Sequence, residues 1–322
     1  MKKTTPISEF EVNTDVQGFF LCTEKNLRTT RAGEPYLDLK LRDRTGTISG
    51  KVWDRVDEFT RKFEPGDPVA VKGRVESFQD RPQLIVDGIN KAAPERYRRY
   101  GFREEMLIRA SPREPAQMWS DVGGIIRKMN NRYLKKLVTK LYQKHKKALM
   151  THPASLSLHY PYRSGYLEHV SSMANAGLVL ARHYGVDGDL LLAGIFLHGI
   201  GKIREVSDTL VPGYTDEGHF LGHTMLGRDM VREAAAEIRG FPPELLTRLE
   251  HLIVCHEGSY DRRSVVKART KEALLLQLLD NMDARLNVFD NIVSEDSDEG
   301  VWTSRRNVFG VSVYKGKSRG DS

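Results

Sequence analysis

Tyr36-Leu37-Asp38-Leu39-Lys40-Leu41-Arg42 puts a leucine at every second position, and this period decides the first half of the fold. Successive side chains of a strand point to opposite faces, so a period of two marks one face as buried and the other as solvated. Leu37, Leu39 and Leu41 then point inward, and Tyr36, Lys40 and Arg42 outward. Residues 48–53 and 69–75 follow the same period less strictly. With Ile48 and Val52 inward, Lys51 and Trp53 face out. The intervals carry turn chemistry: Ala32-Gly33-Glu34-Pro35, Asp43-Arg44-Thr45-Gly46 and Glu64-Pro65-Gly66-Asp67-Pro68. Residues 14–90 therefore read as about five strands, with a short helical segment near 56–63 between the third and fourth.

The segments LDLKLRDRTGTISGKVWD (37–54) and GDPVAVKGRVESF (66–78) resemble those of nucleic-acid-binding OB domains. An exposed aromatic beside cations is what a base-stacking, phosphate-pairing platform needs. Tyr36, Lys51 and Trp53 are the candidates, and Phe78 is a weaker one. The outward phase of Trp53 equally suits packing against the short helix or a following domain.

Composition restricts the class of protein. The 322 residues are 39% hydrophobic and 29% charged, which suits a core-forming chain of two or three domains and excludes a disordered one. Apolar runs such as 274–279 are far too short to span a bilayer, so no membrane partner is expected. Met1-Lys2-Lys3-Thr4 leads into polar sequence without the apolar core of a signal peptide. Two cysteines, Cys22 and Cys255, give no disulfide framework. A cytoplasmic protein is expected.

The net charge of +7 is unevenly spread. Residues 1–95 hold 16 Lys and Arg against 16 Asp and Glu, residues 96–167 hold 16 against 4, and residues 168–322 hold 18 against 23. Not one carboxylate occurs from 122 to 167. Such a stretch repels itself unless it meets phosphate or an acidic partner. Lys135, Lys136 and Lys140 are the candidate phosphate contacts; a solvated helix face is the competing reading.

From Met118 onward apolar residues recur at helical spacing, over 125–149, 167–184, 190–197, 226–238, 244–255 and 271–289. The predicted organisation is a domain over 1–95, a basic aromatic connector over 96–125, a helical domain over 126–292 and a tail over 293–322. Within the helical domain stand His169, His198, His223, His256 and Asp280. One helical histidine is ordinarily structural. Four with a carboxylate on successive helices suit a first-row divalent metal.

Their order resembles the HD-type metal-dependent phosphohydrolase domain, an all-α bundle with the pattern His…His-Asp…His…His…Asp, and AGIFLHGIGK, YTDEGHFLGH and LLDNMDARLN carry the likeness. An OB module followed by an HD module is similar to the YhaM-type 3′→5′ exoribonucleases. The fold class implied is α+β multidomain, a five-stranded OB-type barrel followed by an HD-type helical bundle. The resemblance implies metal-dependent hydrolysis of single-stranded RNA, and DNA is also open as a substrate. It implies a divalent metal, manganese first, with magnesium, cobalt or iron as alternatives. It makes His169, His198 and Asp280 first-metal ligands, with His223 and His256 available to a second. It makes Asp280 and Lys202 catalytic, Lys202 being placed to neutralise a phosphate oxygen; a solvated turn lysine is the alternative. A homo-oligomer stays open.

One position departs from the pattern. The family's His-Asp dyad reads His198-Gly199, and glycine cannot ligate. Weakened or abolished catalysis is expected unless Glu168, Asp208 or Glu257 compensates, and Gly199→Asp is expected to raise metal occupancy. Two other functions are weighed: a catalytically silent single-strand-binding protein, which Gly199 favours, and an HD phosphohydrolase of nucleotides, which has no use for so long a basic segment.

Overall fold

The computed structural model describes residues 4–79, 81–258, 266–296 and 300–316. Two compact units form, Met1–Ala110 with Thr209–Pro212, and Ser111–Asp208 with Gly213–Ser322.

In the first unit, β1 (Asp15–Thr29), β2 (Pro35–Asp43), β3 (Gly46–Val52), β4 (Pro68–Phe78) and β5 (Arg81–Lys91) close into a barrel in the order β1-β2-β3-β5-β4. The leucine alternation does what its period dictates. Leu37, Leu39 and Leu41 pair with Val52, Gly50 and Ile48, and all three leucines lie in the barrel core. β1 is long enough to pair with β4 through its first half and β2 through its second, and it bulges between Cys22 and Glu24 where it changes partner. α1 (Val56–Thr60) fills the β3–β4 connection and, with the residues after it, brings Phe59 and Phe63 into the core. After β5, α2 (Pro94–Tyr97) and the turn that follows carry the chain over β1, where Phe102 and Leu107 bury Phe19 and Leu21.

The second unit is helical: α3 (Pro115–Lys128), α4 (Arg132–Lys144), α5 (Lys146–Leu149), α6 (Gly165–Tyr184), α7 (Gly188–Leu197), α8 (Lys202–Glu205), α9 (Asp216–Ala236), α10 (Pro243–Cys255) and α11 (Lys271–Glu295). α7 is apolar all round, and every residue from Leu190 to Leu197 is buried, so the other helices pack around it.

Two helix predictions need correction. The run over 125–149 is broken after α3, because the Asn131 side chain accepts from the Tyr133 and Leu134 amides and starts α4 afresh. α9 begins at Asp216 and not near 226. Its first turns bury little besides Gly218, and Gly222, at φ +67°, kinks it, so no apolar period announces them. Gly199 lies in the turn between α7 and α8, outside any helix.

Candidate functional site

The predicted ligands come from five helices or their ends. α6 carries His169, α9 His223 and α11 Asp280; His198 and His256 cap the C-termini of α7 and α10. The turn after His198 lies against α9 so closely that a Cβ on Gly201 would stand 2.0 Å from the His223 carbonyl oxygen. The second glycine of His-x-x-Gly-Lys is thus required by the approach of two backbones.

The structure brings these side chains into two adjoining groups. His169, His198 and Asp280 form one; His223, His256 and Glu257 form the other. Within each group the potential ligand atoms lie within 4.8 Å of one another. His169 Nε2 is 3.0 Å from Asp280 Oδ1, and His198 Nε2 is 3.8 Å from the same oxygen. The rings of His198 and His256, one from each group, are 4.9 Å apart.

Every imidazole is oriented through its other nitrogen. Nδ1 of His198 donates to the Ile195 carbonyl at 2.8 Å, and Nδ1 of His256 to that of Ile253 at 2.6 Å. Nδ1 of His169 donates to Asp283 Oδ2 at 2.8 Å, and Nδ1 of His223 to Glu205 Oε1 at 3.1 Å. For His198, His223 and His256 these partners assign the Nδ1–H tautomer and turn the Nε2 lone pairs into the site. His169 instead faces a carboxylate at each nitrogen, donates from both and holds its proton more tightly until a metal displaces it. The Nε2 atoms of His223 and His256 then face each other at 3.4 Å. Two such lone pairs repel unless a cation lies between them, so the donor set fits a divalent metal.

Electrostatics agree with that reading. Burial keeps His256 neutral, its value pushed down to about 4, and holds His198 well below the ordinary range. Burial opposes ionisation of Asp280, but the His169 hydrogen bond and the surrounding imidazoles overcome it and hold the carboxyl well below its usual range. Burial also lowers the Lys202 ammonium, against the attraction of Asp280, Glu205 and Glu257.

Lys202 donates to the Ala154 carbonyl at 2.5 Å and lines a cavity of about 380 Å³ with His159, Glu205, His223 and Glu257. Of the three carboxylates considered as replacements for the missing aspartate, only Glu257 joins the candidate ligands, with Oε1 3.6 Å from His223 Nε2. Glu168 accepts from the Tyr162 hydroxyl at 3.1 Å, and Asp208 is exposed.

Sequence reasoning missed Glu205, Asp283 and His159. Asp283 also accepts from the hydroxyls of Tyr160 and Ser172. Its signal was its place three residues after Asp280, on the same helix face. His159, in an irregular segment, carries no periodic signal at all.

On the barrel, Trp53 is 49% exposed and stacks on Tyr36, with ring centroids 4.6 Å apart. Lys51 lies 5.3 Å from the Tyr36 ring centroid and is paired with Asp38 at 2.6 Å. In the helical unit, Lys135 donates to the Met129 carbonyl and Lys140 pairs with Glu237, whereas Lys136 is exposed.

Comparison with known proteins follows the same division. The OB-fold nucleic acid binding domain family matches residues 23–92, and the HD domain family matches residues 166–285. The protein named 3′-5′ exoribonuclease YhaM of Bacillus subtilis is 31% identical over 95% of this chain and 96% of its own. Those of Halalkalibacterium halodurans and Shouchella clausii are 31% and 32% identical, over 87% and 88% of both chains. This chain belongs to the YhaM family. Membership in the YhaM family, with an HD and an OB domain, implies a divalent metal and single-stranded nucleic acid as ligands. Among the described residues no helix is long and apolar enough to cross a membrane.

Proposed function

We propose that this member of the YhaM family is a metal-dependent 3′→5′ exoribonuclease acting on single-stranded RNA, with manganese as its metal. His169, His198 and Asp280 would hold one ion. His223, His256 and Glu257 would hold a second, Glu257 standing in for the carboxylate that Gly199 lacks. The observation that carries this reading is the pairing of His223 and His256 through facing Nε2 atoms beside a carboxylate. A divalent metal supplies Lewis acidity toward a phosphate oxygen and makes water more acidic.

The chain's own residues do the rest. Asp283, Glu205 and the Ile195 and Ile253 carbonyls hold the imidazoles in one tautomer and one orientation. Lys202 brings a positive charge to the cavity wall, where a phosphate would be partly neutralised. Hydrolysis breaks the terminal phosphodiester and releases a nucleoside monophosphate. Tyr36, Trp53 and Lys51 on the barrel, and Lys135, Lys136 and Lys140, would hold the strand. Two buried free cysteines support a reducing, cytoplasmic site of action.

A catalytically silent binding protein is the second reading, favoured by Gly199. A 5′-labelled single-stranded RNA incubated with manganese separates the two. A ladder shortening from the 3′ end, lost in Asp280→Asn, is expected; intact RNA with a clear gel shift would establish the silent protein instead.

A further inference from the structure

The barrel carries a second depression, on β1, β4 and β5, away from the β2–β3 face that bears Tyr36 and Trp53. Its floor follows from the register. Gln17 of β1 pairs with Lys72 of β4, which pairs with Gly88 of β5; in the next outward row Phe19 pairs with Ala70, which pairs with Asn90. Ala70 puts a small side chain in the middle of the second row, and Gly88 leaves the β5 end of the first without one, so the sheet dips there. α2 and the turn after it make the wall, where Tyr97 packs edge-on against Phe19 and lies 5.9 Å from Tyr100. The resulting groove holds about 720 Å³, within the range of small-ligand sites.

Its chemistry is one-sided. Lys72, Arg96 and Arg99 line it, and no carboxylate does among the described residues. Tyr100 is 48% exposed, with the Arg99 guanidinium 4.8 Å from its ring centroid. An exposed ring with a cation beside it, three positive charges and the Gln17 and Asn90 amides complement an anionic ligand that also carries a planar base. An apolar peptide would leave these charges unanswered, and an acidic one would not use the ring.

We propose that this groove is a second single-strand subsite, holding a nucleotide of the strand by stacking on Tyr100 and by phosphate contacts from Lys72, Arg96 and Arg99. The inference rests on the proposed strand-binding function. It extends that function, because OB domains characteristically hold strands on the β2–β3 face. A strand long enough to reach both sites is then bound by both, and a short one by either alone.

The test is fluorescence anisotropy of the full chain with 5′-labelled oligouridylates of about 4 and about 16 nucleotides, a range spanned by OB-domain sites, in chelator so that no strand is cut. Tyr100→Ala and Arg99→Ala are compared with Trp53→Ala, and circular dichroism checks each fold. The expected result is that Tyr100→Ala weakens the long strand by at least about fivefold, the lower end of a lost stacking contact, and that its effect multiplies with that of Trp53→Ala. Loss in Trp53→Ala with none in Tyr100→Ala or Arg99→Ala would overturn the second subsite and leave the strand-binding reading standing. Failure of the unaltered chain to bind either strand would overturn both. Direct binding of uridine monophosphate, followed by calorimetry, tests a free-nucleotide site. Micromolar binding that Tyr100→Ala abolishes, without displacement of the strand or change in strand affinity, would overturn the strand assignment.

Discussion

The Tyr166 ring lies where a side chain on Gly199 would begin: a Cβ there would stand 2.8 Å from Tyr166 Cε2. The ring is fixed, since its hydroxyl donates to the Phe196 carbonyl at 3.1 Å and it is almost fully buried. Restoring the family's aspartate therefore means more than adding a carboxylate. Gly199→Asp and Gly199→Ala alone are both expected to lose about 1–3 kcal/mol, the usual cost of overpacking, and neither gains metal. Pairing Gly199→Asp with Tyr166→Leu removes the obstructing ring and is expected to recover stability and raise metal content. Denaturant unfolding and metal counting check this. Higher metal content with unchanged stability in Gly199→Asp alone would contradict it.

Glu257→Gln is expected to lower the metal content from about two ions per chain to about one, without changing the unfolding midpoint of the metal-free protein. Glu168→Gln is the control, because Glu168 is turned toward Tyr162. Equal metal content in both variants would remove Glu257 from the ligand set.

The metal-free protein is expected to lose stability as pH falls from about 6.5 toward 4. Burial holds His152 and His198 below the ordinary histidine value, His256 down to about 4 and His159 to about 2. Over that window the unfolded chain takes up protons that the folded chain refuses, so stability falls with pH. His169 is raised, its burial outweighed by Asp280 and Asp283; it contributes stability that is lost only as pH rises through its folded value. Urea unfolding in chelator at several pH values reads the slope, and a flat profile between pH 4 and 6.5 would contradict the burial argument.

Lys51 is paired with Asp38, which also pairs with Arg28. Asp38→Asn frees positive charge beside Tyr36 and is expected to tighten strand binding and steepen its salt dependence by about one counterion. Trp53→Ala is expected to weaken binding by about 1–3 kcal/mol. Among the lysines, Lys136→Glu should flatten the salt slope more than Lys140→Glu, since Lys140 is already paired with Glu237. Titrations at three salt concentrations decide the order.

The barrel was legible because the rule that made it is local. Every second residue of 37–41 is a leucine, and one strand suffices to assign its faces. The convergence of the candidate ligands was legible because His and Asp stand on helical segments in the HD order. What escaped was non-local or aperiodic. Nothing near Lys140 announces Glu237, and nothing near Gly199 announces Tyr166, because those contacts are made by folding and not by spacing. The break at Asn131 is a capping event inside a run whose apolar period continues on both sides. Glu205 acts on His223 through the kink at Gly222, which helix periodicity does not describe.

The most direct test of the proposed two-ion site, with Glu257 in place of the missing carboxylate, is diffraction at the manganese absorption edge from crystals grown with that metal. Two anomalous peaks are predicted, one bounded by His169, His198 and Asp280, the other by His223, His256 and Glu257. A single peak in the first group, with the Glu257 carboxylate turned away from His223, would contradict the account.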